Sequence, residues 1–322
     1  MIDFCGKIVY NQVQYLCIQN ANKNRVRMHM EQIHLKAMAK INLGLDVVRR
    51  LENGYHEVRM IMQTIDLYDE LYMTKTEEPG IKIYTENAEI PTDESNLIYK
   101  TAKLLMEQHP VSGGVSIELR KNIPVAAGMA GGSTDAAATF VGLNALFDMG
   151  YSKEELRKMA VLIGADVPYC IMGGTALSEG IGEILTPLPP APKCYLVIAK
   201  PDINVSTKFV YENLHVDKLE KHPDIDGMKQ AIAEGSLQGV TDRLENVLET
   251  VTIKAYPVIE NIKNIMKETG AMNALMSGSG PTVFGIYPDR ETAEASFAKV
   301  KESGLVKQVF VTTTISETCT AI

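Results

Sequence analysis

The sequence predicts a two-domain α+β protein with strands and helices mixed along the chain. Three observations carry this reading. At 322 residues the chain is too long for one small core and fits two medium domains better than one large one. Strand-like and helix-like stretches follow one another in both halves. Between the halves, the run Pro187-Leu188-Pro189-Pro190-Ala191-Pro192 is stiff, because each proline fixes φ and turns the residue before it away from helix. The expected division is 1–29 as an extension or leader outside the fold, 30–190 as a first domain with a glycine-rich loop, and 191–322 as a second.

Residues Met1 to His29 show no sustained period and read as appended: a genuine extension, a vector-derived leader, or an upstream start ahead of an initiator at Met28 or Met30. Strand-like sequence begins at Ile33 and continues through Ile41 to Val48. Further strands are expected at Met60 to Ile65, Leu71 to Met73, Ile81 to Tyr84 and Val115 to Leu119, with a helix opening at Ser95 or Asn96 and running to about Gln108. Ser152 and Glu155 form a capping-box pair ahead of a helix to about Ile163, which Gly164-Ala165-Asp166-Val167-Pro168 ends. A strand-turn region spans Gly173 to Leu185. Past the prolines, strands are expected at Tyr195 to Ala199, Ala274 to Met276, Thr282 to Tyr287 and Val306 to Thr312. Helices are expected near Ser206 to Asn213, Asp224 to Glu234, Val258 to Glu268 and Thr292 to Lys301.

Apolar residues make up 45% and charged residues 22%, the balance of a globular enzyme rather than a disordered chain. A net charge of −8 without a lysine/arginine run argues against a nucleic-acid partner. A bound anion must then be met locally, by backbone N–H groups more than by bulk charge. The five cysteines (Cys5, Cys17, Cys170, Cys194, Cys319) are scattered, odd in number and without C-x-x-C spacing, which indicates neither a disulfide framework nor a zinc site and points to a reducing compartment. No apolar stretch approaches the roughly eighteen residues of a membrane span, and the first thirty residues hold no signal-peptide core. The expectation is a cytoplasmic protein with small-molecule partners and no membrane, as monomer or homodimer.

The stretch Pro124-Val125-Ala126-Ala127-Gly128-Met129-Ala130-Gly131-Gly132-Ser133-Thr134-Asp135-Ala136-Ala137-Ala138 runs a glycine-rich turn straight into a small-residue helix start. Glycines at 128, 131 and 132 allow several N–H groups to converge on one anion, and the helix dipole adds positive potential there. Ser133 and Thr134 add hydroxyls. Ala136, Phe140, Leu143 and Phe147 recur at helical spacing and predict one buried face. No Gly-Lys-Ser/Thr closes the loop and its glycines do not fall as G-x-G-x-x-G, so neither the Walker A nor the dinucleotide reading applies. Taken alone, the loop is equally a phosphate cradle or a turn packed tightly against a sheet.

Three further segments stand out: Ala39-Lys40-Ile41-Asn42-Leu43, Gly164-Ala165-Asp166-Val167-Pro168 and Ser277-Gly278-Ser279-Gly280-Pro281. Singly, each has an ordinary reading: a lysine snorkelling from a strand edge, a turn-forming aspartate, a hairpin glycine. Together, in this order, they resemble the superfamily of galactokinase, homoserine kinase, mevalonate kinase and phosphomevalonate kinase. Asn53-Gly54-Tyr55-His56, Lys121-Asn122-Ile123-Pro124 and Gly180-Ile181-Gly182-Glu183 make the resemblance closer to the branch acting on 4-diphosphocytidyl-2-C-methyl-D-erythritol in the non-mevalonate isoprenoid pathway. It extends from about Glu31 to about Thr313.

The resemblance implies a ribosomal-protein-S5-like first domain, a ferredoxin-like second domain and a site in the cleft between them. It implies phosphoryl transfer from ATP, with Mg2+, to the free 2-hydroxyl of the cytidine-diphosphate substrate. Asp166 would be the base and Lys40 its partner. The loop from Pro124 to Thr134 would hold the triphosphate, with Ser133 or Thr134 nearest the metal, and Asn96 with Leu97 would shape the adenine pocket. Tyr55 and His56 would stack on and hydrogen-bond to the cytosine, and Tyr211, after Thr207, would cover its other face. Phenylalanine occupies the Tyr211 position in some members. Asn42 would position the methylerythritol portion, Lys121 the diphosphate or adenosine, and Gly278 with Ser279 would complete the substrate wall. Ordinary readings stay open for Tyr55 and His56 as a turn flank and for Asn96 as a helix cap. Two rival functions remain: another small-alcohol kinase of the superfamily, or a nucleotide-binding sensor that has lost turnover.

Overall fold

The computed structural model describes residues 30–316 and 320–321. The expectation for Met1 to His29 lies outside the described residues. In chain order the elements are β1 (Gln32–Arg50), β2 (His56–Thr76), β3 (Gly80–Tyr84), α1 (Leu97–Gln108), β4 (Gly114–Arg120), α2 (Gly131–Leu146), α3 (Lys153–Ala160), α4 (Val167–Met172), β5 (Thr175–Glu179) and β6 (Ile184–Pro187). There follow β7 (Tyr195–Lys200), α5 (Thr207–Glu212), α6 (Ile225–Ala233), α7 (Leu237–Thr241), β8 (Glu245–Asn246), α8 (Glu249–Ala255), α9 (Val258–Glu268), β9 (Asn273–Met276), β10 (Val283–Tyr287), α10 (Arg290–Glu302), β11 (Gln308–Thr313) and β12 (Thr320–Ala321).

Two sheets organise the chain. The larger runs β12-β1-β2-β4-β3, with the β5–β6 hairpin joined to β2 and β8 paired in parallel with β1. The smaller runs β11-β7-β10-β9 with every pair antiparallel. Numbered by their own order, those four strands fall as 4-1-3-2 with helices after the first and third. That is the ferredoxin-like order anticipated for the second half. Strand parity divides the interior in two. On β7, Leu196 and Ile198 face the core shared with the large sheet, while Val197 and Ala199 face the core under α9 and α10.

Strand β1 changes faces twice. Ile33, Leu35 and Ala37 pack in the helix-side core, Ala39, Ile41 and Leu43 in the inter-sheet core, and Leu45 and Val47 in the helix-side core again. The pairing with β2 shifts between Met38 and Lys40 and again between Asn42 and Gly44, so a bulge brackets each end of the middle segment. The two bulges turn Lys40 and Asn42 onto the helix side, which in an unbroken strand they would face away from.

Other elements depart from expectation for identifiable reasons. The strands expected at Met60 to Ile65 and Leu71 to Met73 are one strand, β2, because β1 pairs along almost all of it. Helix α2 is buried continuously from Thr134 to Phe140 rather than along one stripe. Its small residues let α1, α4 and β1 close on it from several sides. Helix α3 stops at Ala160, before the expected Ile163. Pro168 starts α4 instead of ending a helix, since a first-turn proline lacks only an N–H that has no helical partner. Helices α7 and α8 and strand β8 were not anticipated.

Candidate active site

The loop before α2 has left-handed backbone at every second residue, with φ of 50° at Ala126, 70° at Gly128 and 58° at Ala130. Such alternation turns successive N–H groups inward as an anion-binding nest. At each alanine it costs about 1–2 kcal/mol. No side chain caps α2, and its first intrahelical bond runs from Thr134 N to Ala130 O at 2.8 Å. The N–H groups of the first turn, at the positive end of a sixteen-residue helix, are left for a ligand. The packing reading of the loop holds at one residue. A Cβ on Gly128 would stand 2.3 Å from the Ser277 carbonyl oxygen, and Ser277 Oγ donates to Gly128 O at 3.0 Å.

Lys40 is tied to the loop by its own N–H, which donates to Met129 O at 3.2 Å. Its ammonium donates to Asn42 Oδ1 at 2.8 Å and lies 3.8 Å from Asp166 Oδ2. The lysine side chain is 6% exposed and the aspartate 33%, so the carboxylate opens to the cleft while the ammonium sits behind it. Asn42 Nδ2 in turn donates to Met60 Sδ at 3.2 Å. Asp166 is held at the N-cap of α4, where its carbonyl accepts from Cys170 N at 3.1 Å and its side chain makes no capping bond.

The turn Leu51 to Tyr55 joins β1 to β2 with Gly54 at φ 86° and carries Tyr55, 61% exposed, over the rim. The His56 ring lies 5.1 Å from the Tyr211 ring at a 42° tilt. Burial, then the Arg50 charge, lower the His56 pKa and favour the neutral imidazole. Burial and the nearby Asp166 charge raise that of the Tyr211 phenol.

One cavity of about 1110 Å³ gathers these groups. Lys40, Asn42, Tyr55, His56 and Asp166 line it, as do Asn96, Leu97 and Lys121. So do Thr207, Tyr211, Gly278 and Ser279 from the second half, and every loop residue from Pro124 to Ser133 except Met129. Two loop residues turn elsewhere. Met129 is buried in the inter-sheet core, and the Thr134 hydroxyl donates to Met38 O at 2.7 Å, fully buried, which leaves Ser133 as the hydroxyl on the cavity.

Two more predicted residues have their polar groups engaged. Asn96 caps α1, accepting from Ile98 N at 2.8 Å and donating to Pro91 O at 2.6 Å. The Lys121 ammonium is buried against Asp69 and, at 2.9 Å, Asp135, rather than reaching free into the cleft. Asp69 Oδ1 also accepts from Asn122 N at 2.6 Å and Ile123 N at 2.8 Å. Burial works against the Lys121 charge, and the two carboxylates outweigh it, so its pKa is raised. Burial pushes the Asp135 carboxyl well above the ordinary range, Lys121 opposing and Asp69 reinforcing the rise. Sequence reasoning missed Asp69 and Asp135, although Asp135 directly follows the Gly-Gly-Ser-Thr start of α2.

Comparison with known proteins decides the lineage. Residues 96–174 match the N-terminal domain of GHMP kinases and residues 217–305 their C-terminal domain. The chain is 56% identical over 283 residues to the 4-diphosphocytidyl-2-C-methyl-D-erythritol kinase of Lachnoclostridium phytofermentans, covering 88% of this chain and 97% of that one. It is 54% identical to the enzyme of the same name from Lachnospira eligens, covering 89% and 100%. The chain belongs to the GHMP kinase family. Within it, the chain stands with the 4-diphosphocytidyl-2-C-methyl-D-erythritol kinases. A crystal structure of 4-(cytidine 5'-diphospho)-2C-methyl-D-erythritol kinase superposes with a TM-score of 0.76 at 30% identity, covering 88% of this chain and 99% of that one. Homoserine kinase from Cytophaga hutchinsonii, at 20% identity and a TM-score of 0.75 over 94% of this chain and 100% of that one, shares the fold. Kinases of this family use ATP as the phosphate donor, so this is an ATP-dependent phosphotransferase. Among the described residues no helix is long and apolar enough to cross a membrane.

Proposed function

We propose that this kinase transfers the terminal phosphoryl group of ATP to the free tertiary 2-hydroxyl of 4-(cytidine 5'-diphospho)-2-C-methyl-D-erythritol, in the cytoplasm, as a step of isoprenoid precursor synthesis. The observation that carries the reading is the 3.8 Å approach of Lys40 Nζ to Asp166 Oδ2 within the cavity that also holds the phosphate nest and the Tyr55–His56 turn.

In this reading Asp166 takes the hydroxyl proton as the oxygen attacks the γ-phosphorus, and the bond to the β-phosphate oxygen breaks to release ADP. Lys40, steadied by Asn42, offers an N–H to the hydroxyl oxygen and favours its alkoxide character. The N–H groups of the loop and of the first turn of α2 receive the charge that spreads over the phosphate oxygens. Tyr55 and Tyr211 lie against the faces of the cytosine, and neutral His56 has one ring nitrogen to donate and one to accept. A magnesium ion bound with the nucleotide would neutralise part of its phosphate charge. Ser133, the hydroxyl on the cavity, would be the side chain at hand for such an ion.

An ADP-release assay over a panel of alcohols tests the proposal. Turnover with the cytidylated substrate and not with homoserine or mevalonate is expected. Turnover with either of those instead would assign a different alcohol, and calorimetric binding without ADP formation would assign a sensor.

A further inference from the structure

The Ser277–Gly280 turn that presses on Gly128 is itself held from behind. Asn246 Nδ2 donates to Met276 O and to Gly278 O, both at 2.8 Å, while its Oδ1 accepts from Leu248 N at 3.0 Å. Glu249 Oε1 accepts from Met276 N at 2.8 Å, and its other oxygen pairs with Lys263 at 2.6 Å. Thr252 Oγ1 donates to Ser279 O at 3.3 Å. These three side chains lie at the start of α8 or just before it, and they hold the backbone from Met276, the last residue of β9, to Ser279 in the turn that follows.

The turn then meets the catalytic apparatus at two points. Ser277 bonds the Gly128 carbonyl, and a Cβ on Gly278 would lie 3.6 Å from Asn42 Oδ1, the acceptor of the Lys40 ammonium. Asn246 also belongs to β8, which pairs with β1 at Gly44 and Leu45, just beyond Asn42. Asn246 itself does not line the cavity, yet it is bonded to the turn and to the strand that do.

We propose that Asn246 and Glu249 are positioning residues for phosphoryl transfer, setting the nucleotide loop at Gly128 through the Ser277–Gly280 turn. The proposal rests on the loop being the nucleotide site, as proposed above, and not on which alcohol is the acceptor. A displacement of about 1 Å in such a support can cost on the order of a hundredfold in rate. The ion pair with Lys263 keeps the Glu249 carboxylate in place to receive the Met276 N–H.

The test measures thermal melting, and then, at temperatures well below each variant's unfolding midpoint, ATP affinity by calorimetry without acceptor and KM for each substrate. Asn246→Ala and Glu249→Ala are each expected to weaken ATP binding, read without acceptor, about tenfold. Glu249→Gln, which keeps an acceptor oxygen for Met276 N, is expected to restore ATP affinity to within about threefold even though Lys263 loses its partner and melting falls. In the double variant Asn246→Ala/Ser277→Ala, ATP binding is expected to be no weaker than in the worse single variant, because both act through one turn. Unchanged ATP affinity, equal losses in Glu249→Gln and Glu249→Ala, or multiplicative effects in the double variant would overturn the proposal. ATP binding is read without acceptor, so a wrong acceptor would leave these results intact and appear only as an idle ADP assay.

Discussion

Lys40 and Asp166 meet at 3.8 Å although one lies on the short middle segment of β1, between its bulges, and the other at the N-cap of α4. They meet because the bulge between Met38 and Lys40 turns the lysine to the helix side, while Gly164 N, donating to Ala160 O at 3.2 Å, folds the chain after α3 back towards the strand. If Asp166 removes the hydroxyl proton, Asp166→Asn lowers kcat by at least about a hundredfold and leaves ATP affinity within a few-fold. Steady-state kinetics beside ATP calorimetry check this split. A loss confined to KM would move Asp166 out of the base role.

The base-recognition prediction separates ring from hydroxyl at Tyr211. Tyr211→Phe is expected to keep cytidylated-substrate affinity within about threefold, whereas Tyr211→Ala and Tyr55→Ala each lose about 1–3 kcal/mol of it, the usual worth of one base-stacking contact. Substrate KM and direct binding of a cytidine diphosphate fragment are the measurements. An equal loss in the phenylalanine variant would mean that the hydroxyl makes the contact.

The two hydroxyls at the start of α2 should behave differently. Thr134 bonds the Met38 carbonyl in the interior, so Thr134→Val is expected to destabilise the protein by about 1–3 kcal/mol, by stranding a buried acceptor, with kcat within a few-fold. Ser133 lies on the cavity, so Ser133→Ala is expected to preserve the melting temperature and to raise the magnesium concentration needed for half-maximal rate. Melting curves and a magnesium titration distinguish the two. Interchanged results would reverse the assignment.

A pH prediction follows from the buried group under the loop. The folded-state pKa of Asp135 is raised by burial and by Asp69, so the folded protein holds a proton that the unfolded chain gives up at ordinary carboxylate pH. Its stabilising contribution is present in acid and is lost as pH climbs from the unfolded carboxylate value through the raised folded one. Asp135→Asn removes that loss, so the melting temperature of the variant relative to the parent should rise as pH increases across that window. Parallel melting curves from about pH 4 upward test this, and a difference independent of pH would contradict it.

Much of this site could be read along the chain because its signals are local. Gly128 to Thr134 marks a loop and a helix start by composition, and Asn96 marks the cap of α1 by its place before an amphipathic run. The bulges in β1 could not be read. Every second residue from Ile33 to Val47 is apolar, and only pairing with β2 reveals that these residues change faces twice. Asp135 lay within the recognised stretch but not among the expected site residues, because its meaning depends on Lys121 and Asp69, which reach it from β4's end and from β2. Pro168 was read as a stop because a proline beside a turn gives the same local signal at either end of a helix.

The parallel pairing of β8 with Gly44 and Leu45, reinforced by Val247 N donating to Leu45 O at 3.0 Å, stitches the second half of the chain into the first sheet two residues from Asn42. A clamshell opening about the proline run would tear that seam. Access for ATP and release of ADP therefore fall to the rim rather than the hinge: to the Leu51–Tyr55 turn, the segment leading to Asn96, and α5. Substitutions that stiffen those three rim segments should slow product release while leaving the chemical step proposed for Asp166 untouched.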